Sequence, residues 1–148
     1  MAGTIIEALP IHRLDFSHVV GGETQQRLLT LWPIDVVNYT EGTLLVRWHH
    51  GDSIASNHSI TIKVFTVCPS TEDPQMLFSL EDTAVASVTI DSSTTPPVGD
   101  EGTLLKAAFS SNFGTSVVVV AEGYRPASPS DLKASISVEL ALAGRKAS

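Results

Sequence analysis

Glu41-Gly42-Thr43-Leu44-Leu45-Val46-Arg47-Trp48 is the stretch on which the fold turns. From Thr43 to His50, the residues Leu44, Val46 and Trp48 share one face of an extended chain, opposite Thr43, Arg47 and His49. A period of two marks a strand with one face buried, because successive side chains leave a pleated backbone on opposite sides. An acidic residue and Gly ahead of a β-prone run is turn chemistry, so the segment reads as the opening of a β-hairpin. The same five residues recur as Glu101-Gly102-Thr103-Leu104-Leu105. Each copy is followed by an apolar run, a Ser-Asn pair (Ser56-Asn57, Ser111-Asn112), a second apolar run and Pro-Ser (Pro69-Ser70, Pro129-Ser130). Two hairpin openings converging on the same turn chemistry account for this; the alternative is a fusion of two ancestral hairpins.

Alternation continues outward in both directions. Ile60, Ile62 and Val64 oppose Thr61 and Lys63; Ala86, Val88 and Ile90 oppose Ser87, Thr89 and Asp91. Ile136, Val138, Leu140 and Leu142 oppose Ser135, Ser137 and Glu139, which favours a strand over a helix capped by Ser130 and running to Ala143. Val117 to Val120 is apolar on both faces, as a central strand covered on each side would be. Further strands are expected at 4–7, 11–20, 26–32, 34–39, 76–80 and 104–109, with a short helical turn as an alternative between Gly21 and Trp32. Turn signals lie at Gly21-Gly22, Gly51-Asp52, 69–74, 92–100 and 126–129. Many short strands at this spacing predict an all-β chain forming one domain over 1–148. The expected architecture is an antiparallel β-sandwich of about eight or nine strands, with jelly-roll or similar Greek-key topology.

The 148 residues suffice to bury about 70% of the unfolded surface. A hydrophobic fraction of 43% against 17% charged residues is ample for a core. The net charge of −7 is uneven: from Val64 to Leu105 there are seven acidic residues and no Lys or Arg. Nucleic-acid affinity comes chiefly from Lys and Arg, so no nucleic-acid partner is expected. Cys68 is the sole cysteine, which leaves no internal disulfide. The first residues lack the charged and apolar regions of a secretory leader, and no apolar run approaches the ~20 residues of a membrane span. The expectation is therefore a soluble protein made in a reducing compartment, with no membrane partner, whose sequons Asn38-Tyr39-Thr40 and Asn57-His58-Ser59 carry no meaning.

The richest cluster is Trp48-His49-His50-Gly51-Asp52-Ser53. A metal-dependent enzyme would recruit His49, His50 and Asp52, with His58 across a hairpin. Adjacent strand residues face opposite ways, so His49 and His50 cannot share a site without a bulge, and a polar hairpin tip is the preferred reading. Gly51-Asp52-Ser53-Ile54 is similar to the Gly-Asp-Ser-Leu block of one esterase family, and Asp15-Phe16-Ser17-His18 has its Asp-x-x-His spacing. Those enzymes carry the two blocks in the opposite order on an α/β scaffold. By parity His12, Leu14, Phe16 and His18 share a face, which makes the histidines buried or strand-end residues. Cys68 lacks a neighbouring base and reads as a small core residue. No catalytic, cofactor-binding or metal-binding residue is assigned, and no cofactor is expected.

What remains is a non-enzymatic scaffold, and the leading functional expectation is a structural subunit of a large symmetric assembly. The form expected is a virion capsid decoration (cement) or minor coat protein, by analogy of architecture alone. It would be made in a host-cell cytoplasm, form homo-oligomers and contact other capsid or assembly proteins at the outer surface or shell. The segments Ala2 to Ile11 and Ala141 to Ser148 are the expected intersubunit contacts, with 92–100 facing solvent. The rival is a ligand- or carbohydrate-binding module using Trp32, Tyr39 and Tyr124, with calcium at Glu72-Asp73 or Asp100-Glu101; Trp48 is expected in the core.

Overall fold

A computed structural model describes residues 3–20, 22–30, 32–49, 54–69, 78–80, 84–97, 102–110, 114–126 and 131–144, and these form strands and connections with no helix. The strands are β1 (Thr4–Asp15), β2 (Glu23–Leu28), β3 (Ile34–Asp35), β4 (Glu41–Trp48), β5 (Ser59–Pro69), β6 (Phe78–Leu80), β7 (Ala86–Asp91), β8 (Thr103–Phe109), β9 (Ser116–Arg125) and β10 (Lys133–Ala143). One sheet has the order β1-β10-β4-β8. In the other, β9 and β5 lie side by side, β2 and β3 both pair with β9, and β6 and β7 both pair with β5. Counted as lines of strand, β2 with β3 and β6 with β7 reduce the ten segments to eight. All neighbouring pairs are antiparallel, and every step from line to line changes sheet except the one from β5 to β6 and β7. This is the jelly-roll double Greek key, the β-sandwich that alternation predicts.

The core lies between the sheets and is supplied by the alternating residues. Leu44, Val46 and Trp48 from β4 and Ala134, Ile136, Val138, Leu140 and Leu142 from β10 face Ile60, Ile62, Val64, Val88, Ile90, Val117, Val119 and Ala121. The strand reading of 133–143 holds, with buried and half-buried residues alternating along β10. β9 is buried on both faces, as its valine run implies: Val118 and Val120 turn away from the main core and pack with Phe65, Val67 and Ala84 in a second cluster.

The repeated pentapeptide takes opposite orientations in its two positions. In β4 the first leucine, Leu44, is buried and Leu45 points outward; in β8 Leu104 is exposed and Leu105 packs on the core. The register explains it: β4 and β8 are neighbours, with Val46 opposite Leu105 and Gly42 opposite Phe109. A shift of one residue exchanges the two faces of a strand, so identical letters serve opposite roles. The two glycines differ likewise. Gly102 has a φ of 75°, the left-handed conformation expected of a turn. Gly42 lies within β4, where a methyl would meet Phe109 and Leu142. Neither copy opens a hairpin, because β4 to β5 and β8 to β9 are crossings between sheets; the local turn signal is real, but the partner strand is chosen by the sandwich.

Three strand expectations are corrected. The strands expected at 4–7 and 11–20 are one strand, β1, which ends at Asp15 and carries Pro10 through two register shifts on a sheet edge where a missing N–H is tolerated. Strand 26–32 is displaced to Glu23–Leu28, followed by single bonds from Leu29 N–H to the Val119 carbonyl and from Val119 N–H to Thr30 Oγ1. No helical turn forms there among the described residues. Strand 34–39 is cut to Ile34–Asp35, because Asp35 Oδ1 accepts the Val37 N–H and the Val36 carbonyl accepts the Tyr39 N–H, turning the chain.

Candidate functional site

The histidine cluster does not assemble among the described residues. His49 leaves the outer face of β4, opposite to Trp48, and its Nε2 lies 2.8 Å from Ser137 Oγ. His58 is buried at the start of β5, with Nδ1 3.0 Å from the Ser56 carbonyl. His50, Asp52 and Ser53 lie outside the described residues, as do Glu72-Asp73 and Asp100-Glu101. Among the described residues no group of three or more His, Cys, Asp or Glu is placed to hold a metal. Asp15 and His18, the Asp-x-x-His pair, close a turn: Asp15 Oδ1 accepts the Ser17 N–H at 2.8 Å. Hydrogen bonds from Ser17 hold the Asp15 carboxyl below its usual pKa, helped by Lys133 and His18 against some burial. His12 and His18 are both exposed: His12 keeps the parity of Leu14, opposite the buried Ile136, but sits on the edge strand, and His18 follows the end of β1, where its Nε2 meets Arg27 Nη2 at 3.2 Å. The side chain of Cys68 is outside the described residues.

The aromatic residues of the rival reading are dispersed. Trp48 is in the core, and Tyr39 is half-buried with its hydroxyl donating to Thr4 Oγ1 at 3.1 Å. Tyr124 and Trp32 are both exposed, but at different places along β9: Tyr124 pairs with Thr24, whereas Trp32 precedes Ile34, which pairs with Val117. Trp32 alone adjoins a crevice of about 400 Å³ lined by Leu9, Pro10, Leu29 and Ile34.

The two outer faces of the sandwich differ in how far they satisfy themselves. On the second sheet, Lys63 Nζ pairs with Glu122 Oε2 at 2.8 Å, Gln26 donates to Glu122 Oε1, and Thr61 and Thr89 share a bond across β5 and β7. Burial pushes the Glu122 carboxyl up, but the bonds from Lys63 and Gln26 and the Lys63 charge outweigh it and hold the pKa below the ordinary value. The other half of that face is the closed cluster around Phe65 and Val118.

The outer face of the β1-β10-β4-β8 sheet is left open. Its register stacks side chains in rows across the four strands. One row is Ile5, Ala141, Thr43 and Ala108; the next is Glu7, Glu139, Leu45 and Lys106. A third holds Ser137, Arg47 and Leu104, with Ile11 beside Ser137 and Arg47 at the β1 edge. Small side chains in the first row leave a depression of about 560 Å³. Ile5 and Ile11 are each 66% exposed and Leu104 46%. Glu7 and Glu139 are direct cross-strand neighbours, a like-charge placement that costs stability. Among the described residues, no hydrogen bond or ion pair satisfies Glu7, Glu139 or Lys106. The described parts of the two terminal segments, 3–11 and 141–144, form this face side by side. On the loop after β7, Ser92, Ser93, Thr95 and Pro96 are exposed. The row structure was beyond sequence reasoning, which had alternation but no register.

No protein-family model matches the chain, and no curated protein matches it. Solved structures do. The VP2 subviral particle of infectious bursal disease virus aligns over 95% of this chain and 32% of its own, with 14% identity and a TM-score of 0.53. The Gx strain of that virus gives 13% identity and 0.46 over the same shares. A cleaved adhesin domain of Lys-gingipain from Porphyromonas gingivalis gives 16% identity and 0.42, over 96% of this chain and 90% of its own. The likeness to the VP2 particle is one of fold, and this chain spans about a third of the length of those viral chains. No helix of the described residues is long and apolar enough to cross a membrane.

Proposed function

We propose that this chain is a non-enzymatic structural subunit that works by binding neighbouring protein subunits in a symmetric assembly. The setting proposed is a virion, with the chain as a decoration or minor coat protein at the outer surface, made in the cytoplasm of a host cell. One observation carries the reading: the outer face of the β1-β10-β4-β8 sheet presents exposed Ile5, Ile11 and Leu104 beside Glu7, Glu139 and Lys106, which find no hydrogen bond or ion pair among the described residues, whereas on the opposite face Lys63, Gln26 and Glu122 pair with one another and Phe65, Val67, Val118 and Val120 cluster, leaving Leu28 and Tyr124 exposed. The jelly-roll strand order and the fold likeness to a viral particle protein agree with it. Burying the open face yields about 25 cal/mol per Å² before association costs, so each contact is modest and many copies act together. Light scattering of the full chain over a wide concentration range tests the proposal. Mass that grows with concentration supports it; a strict monomer that binds a glycan array overturns it.

That second outcome belongs to a ligand-binding module, the reading favoured by Trp32, 71% exposed beside its apolar crevice. Stacking of a sugar ring on that indole would be its mechanism, and Trp32→Ala would abolish it.

A further inference from the structure

We infer that the open face of the four-stranded sheet docks on the same face of a second copy, about a two-fold axis parallel to the strands. The inference rests on the assembly reading above and names the partner of that face. A two-fold in this direction keeps each row at its own height and reverses its order across the strands. The row Glu7, Glu139, Leu45, Lys106 then meets Lys106, Leu45, Glu139, Glu7 of the other copy, so each Glu7 stands over a Lys106 and each Glu139 over a Leu45, with the lysine one strand away. The row above sets Ile5 over Ala108, into the depression left by the small residues. The row below sets Ile11 over Leu104, both exposed aliphatic side chains. One operation makes the ends of all three rows complementary: Ile5 with Ala108, Glu7 with Lys106 and Ile11 with Leu104. A two-fold running across the strands instead would place Glu7 over Glu7 and Lys106 over Lys106. An isologous interface requires a surface complementary to itself, and the ordering of these rows supplies it only for the first axis.

The size of the face sets the strength. Four strands about 4.8 Å apart and roughly seven residues of about 3.3 Å give a footprint of about 450 Å² per copy. That is near half of a standard interface, so an isolated pair is weak and the contact gains its force from repetition in an assembly. The cross-strand Glu7–Glu139 pair, a like-charge placement in the single chain, is eased further when the second copy brings Lys106.

Sedimentation equilibrium of the full chain at high protein concentration tests this with charge exchange at two exposed positions. Glu7→Lys alone and Lys106→Glu alone each place two like-charge pairs in the interface and should weaken self-association at least tenfold. An equimolar mixture of the two variants should form a mixed pair with both ion pairs restored, and the double variant should pair with itself as wild type does. Single variants that associate like wild type, or a mixture that stays as weak as its components, overturn the inference. A wild-type chain that assembles with an affinity indifferent to all three variants removes this face but leaves the assembly reading standing. A wild-type chain monomeric at every concentration removes both.

Discussion

Gly123→Ala adds one methyl where the sandwich leaves no room for it. Gly123 lies in β9 between Gln25 and Ile60, and Phe16 packs on it fully buried. A Cβ there would overlap Cγ and Cδ1 of Phe16 and come within 2.7 Å of its Cβ. These atoms are the root of the side chain, so rotating the ring cannot clear them; the Phe16 backbone or β9 must move. The Arg27 guanidinium also sits over the ring, 4.4 Å from its centroid, with its Nη2 donating to the Asp15 carbonyl at 2.7 Å, so the ring is held between fixed neighbours. Overpacking of this kind costs typically 1–3 kcal/mol, and the chain-entropy gain of Gly→Ala, about 0.5–1 kcal/mol, offsets only part. The close contact at the root places this site at the upper end, so a net loss of about 2 kcal/mol is expected. For a chain of this length that lowers the melting temperature by roughly 4–8 °C. Urea denaturation followed by fluorescence gives the free energy, and Phe16→Ala in both backgrounds completes a double-mutant cycle. The alanine should cost less in the Gly123→Ala background than in wild type, because it removes the Cγ and Cδ1 that the new methyl overlaps. A Gly123→Ala protein as stable as wild type, or additive effects in the cycle, would refute the packing argument.

The inverted repeat predicts unequal leucines: Leu44→Ala should cost about 3 kcal/mol by urea denaturation and Leu104→Ala under about 1 kcal/mol, since only the first is buried. Acid should weaken the fold. Bonds from Ser93 and then Thr94 hold Asp91 below its ordinary pKa, as Ser17 holds Asp15 and Lys63 with Gln26 holds Glu122. A folded-state pKa below the unfolded value gives stability that is present above pH ~4 and lost as pH falls through the lower, folded values. The urea midpoint should therefore drop between about pH 5 and pH 3, and less steeply in Asp91→Asn. Arg27→Ala removes the bond to the Asp15 carbonyl and the cation over Phe16, for an expected loss of about 1–2 kcal/mol; Arg27→Lys should recover only part, lacking the planar fork. Both are read from thermal melts.

Much of the architecture was legible residue by residue. The alternations in 44–48, 60–64, 86–90 and 136–142 name the inward faces of β4, β5, β7 and β10, and the two-sided valine run names the central strand β9. These signals are local, arising from the pleat and the aversion of apolar groups to water. Less was legible where neighbours intervene. Separate strands were expected at 4–7 and 11–20, yet one edge strand runs through Pro10 with bulges, and Ile34 to Tyr39 looked extended until Asp35 closed a turn. His12 and His18 were placed by parity along one strand, but His12 is exposed at the sheet edge although it shares the parity of Leu14, and the strand ends before His18.

The sequence by itself determined that this chain would be a two-layer β structure with a hydrophobic seam, and which residues would line most of it, because both follow from a period of two. Register and sheet assignment came only with the tertiary structure. They depend on which strands lie side by side, and that is decided by burying both sheets at once over stretches far apart in sequence. For that reason Glu41-Gly42-Thr43-Leu44-Leu45 and its copy read alike and face opposite ways. For the same reason Glu7, Glu139, Leu45 and Lys106, drawn from four strands, become one row only when the sandwich closes.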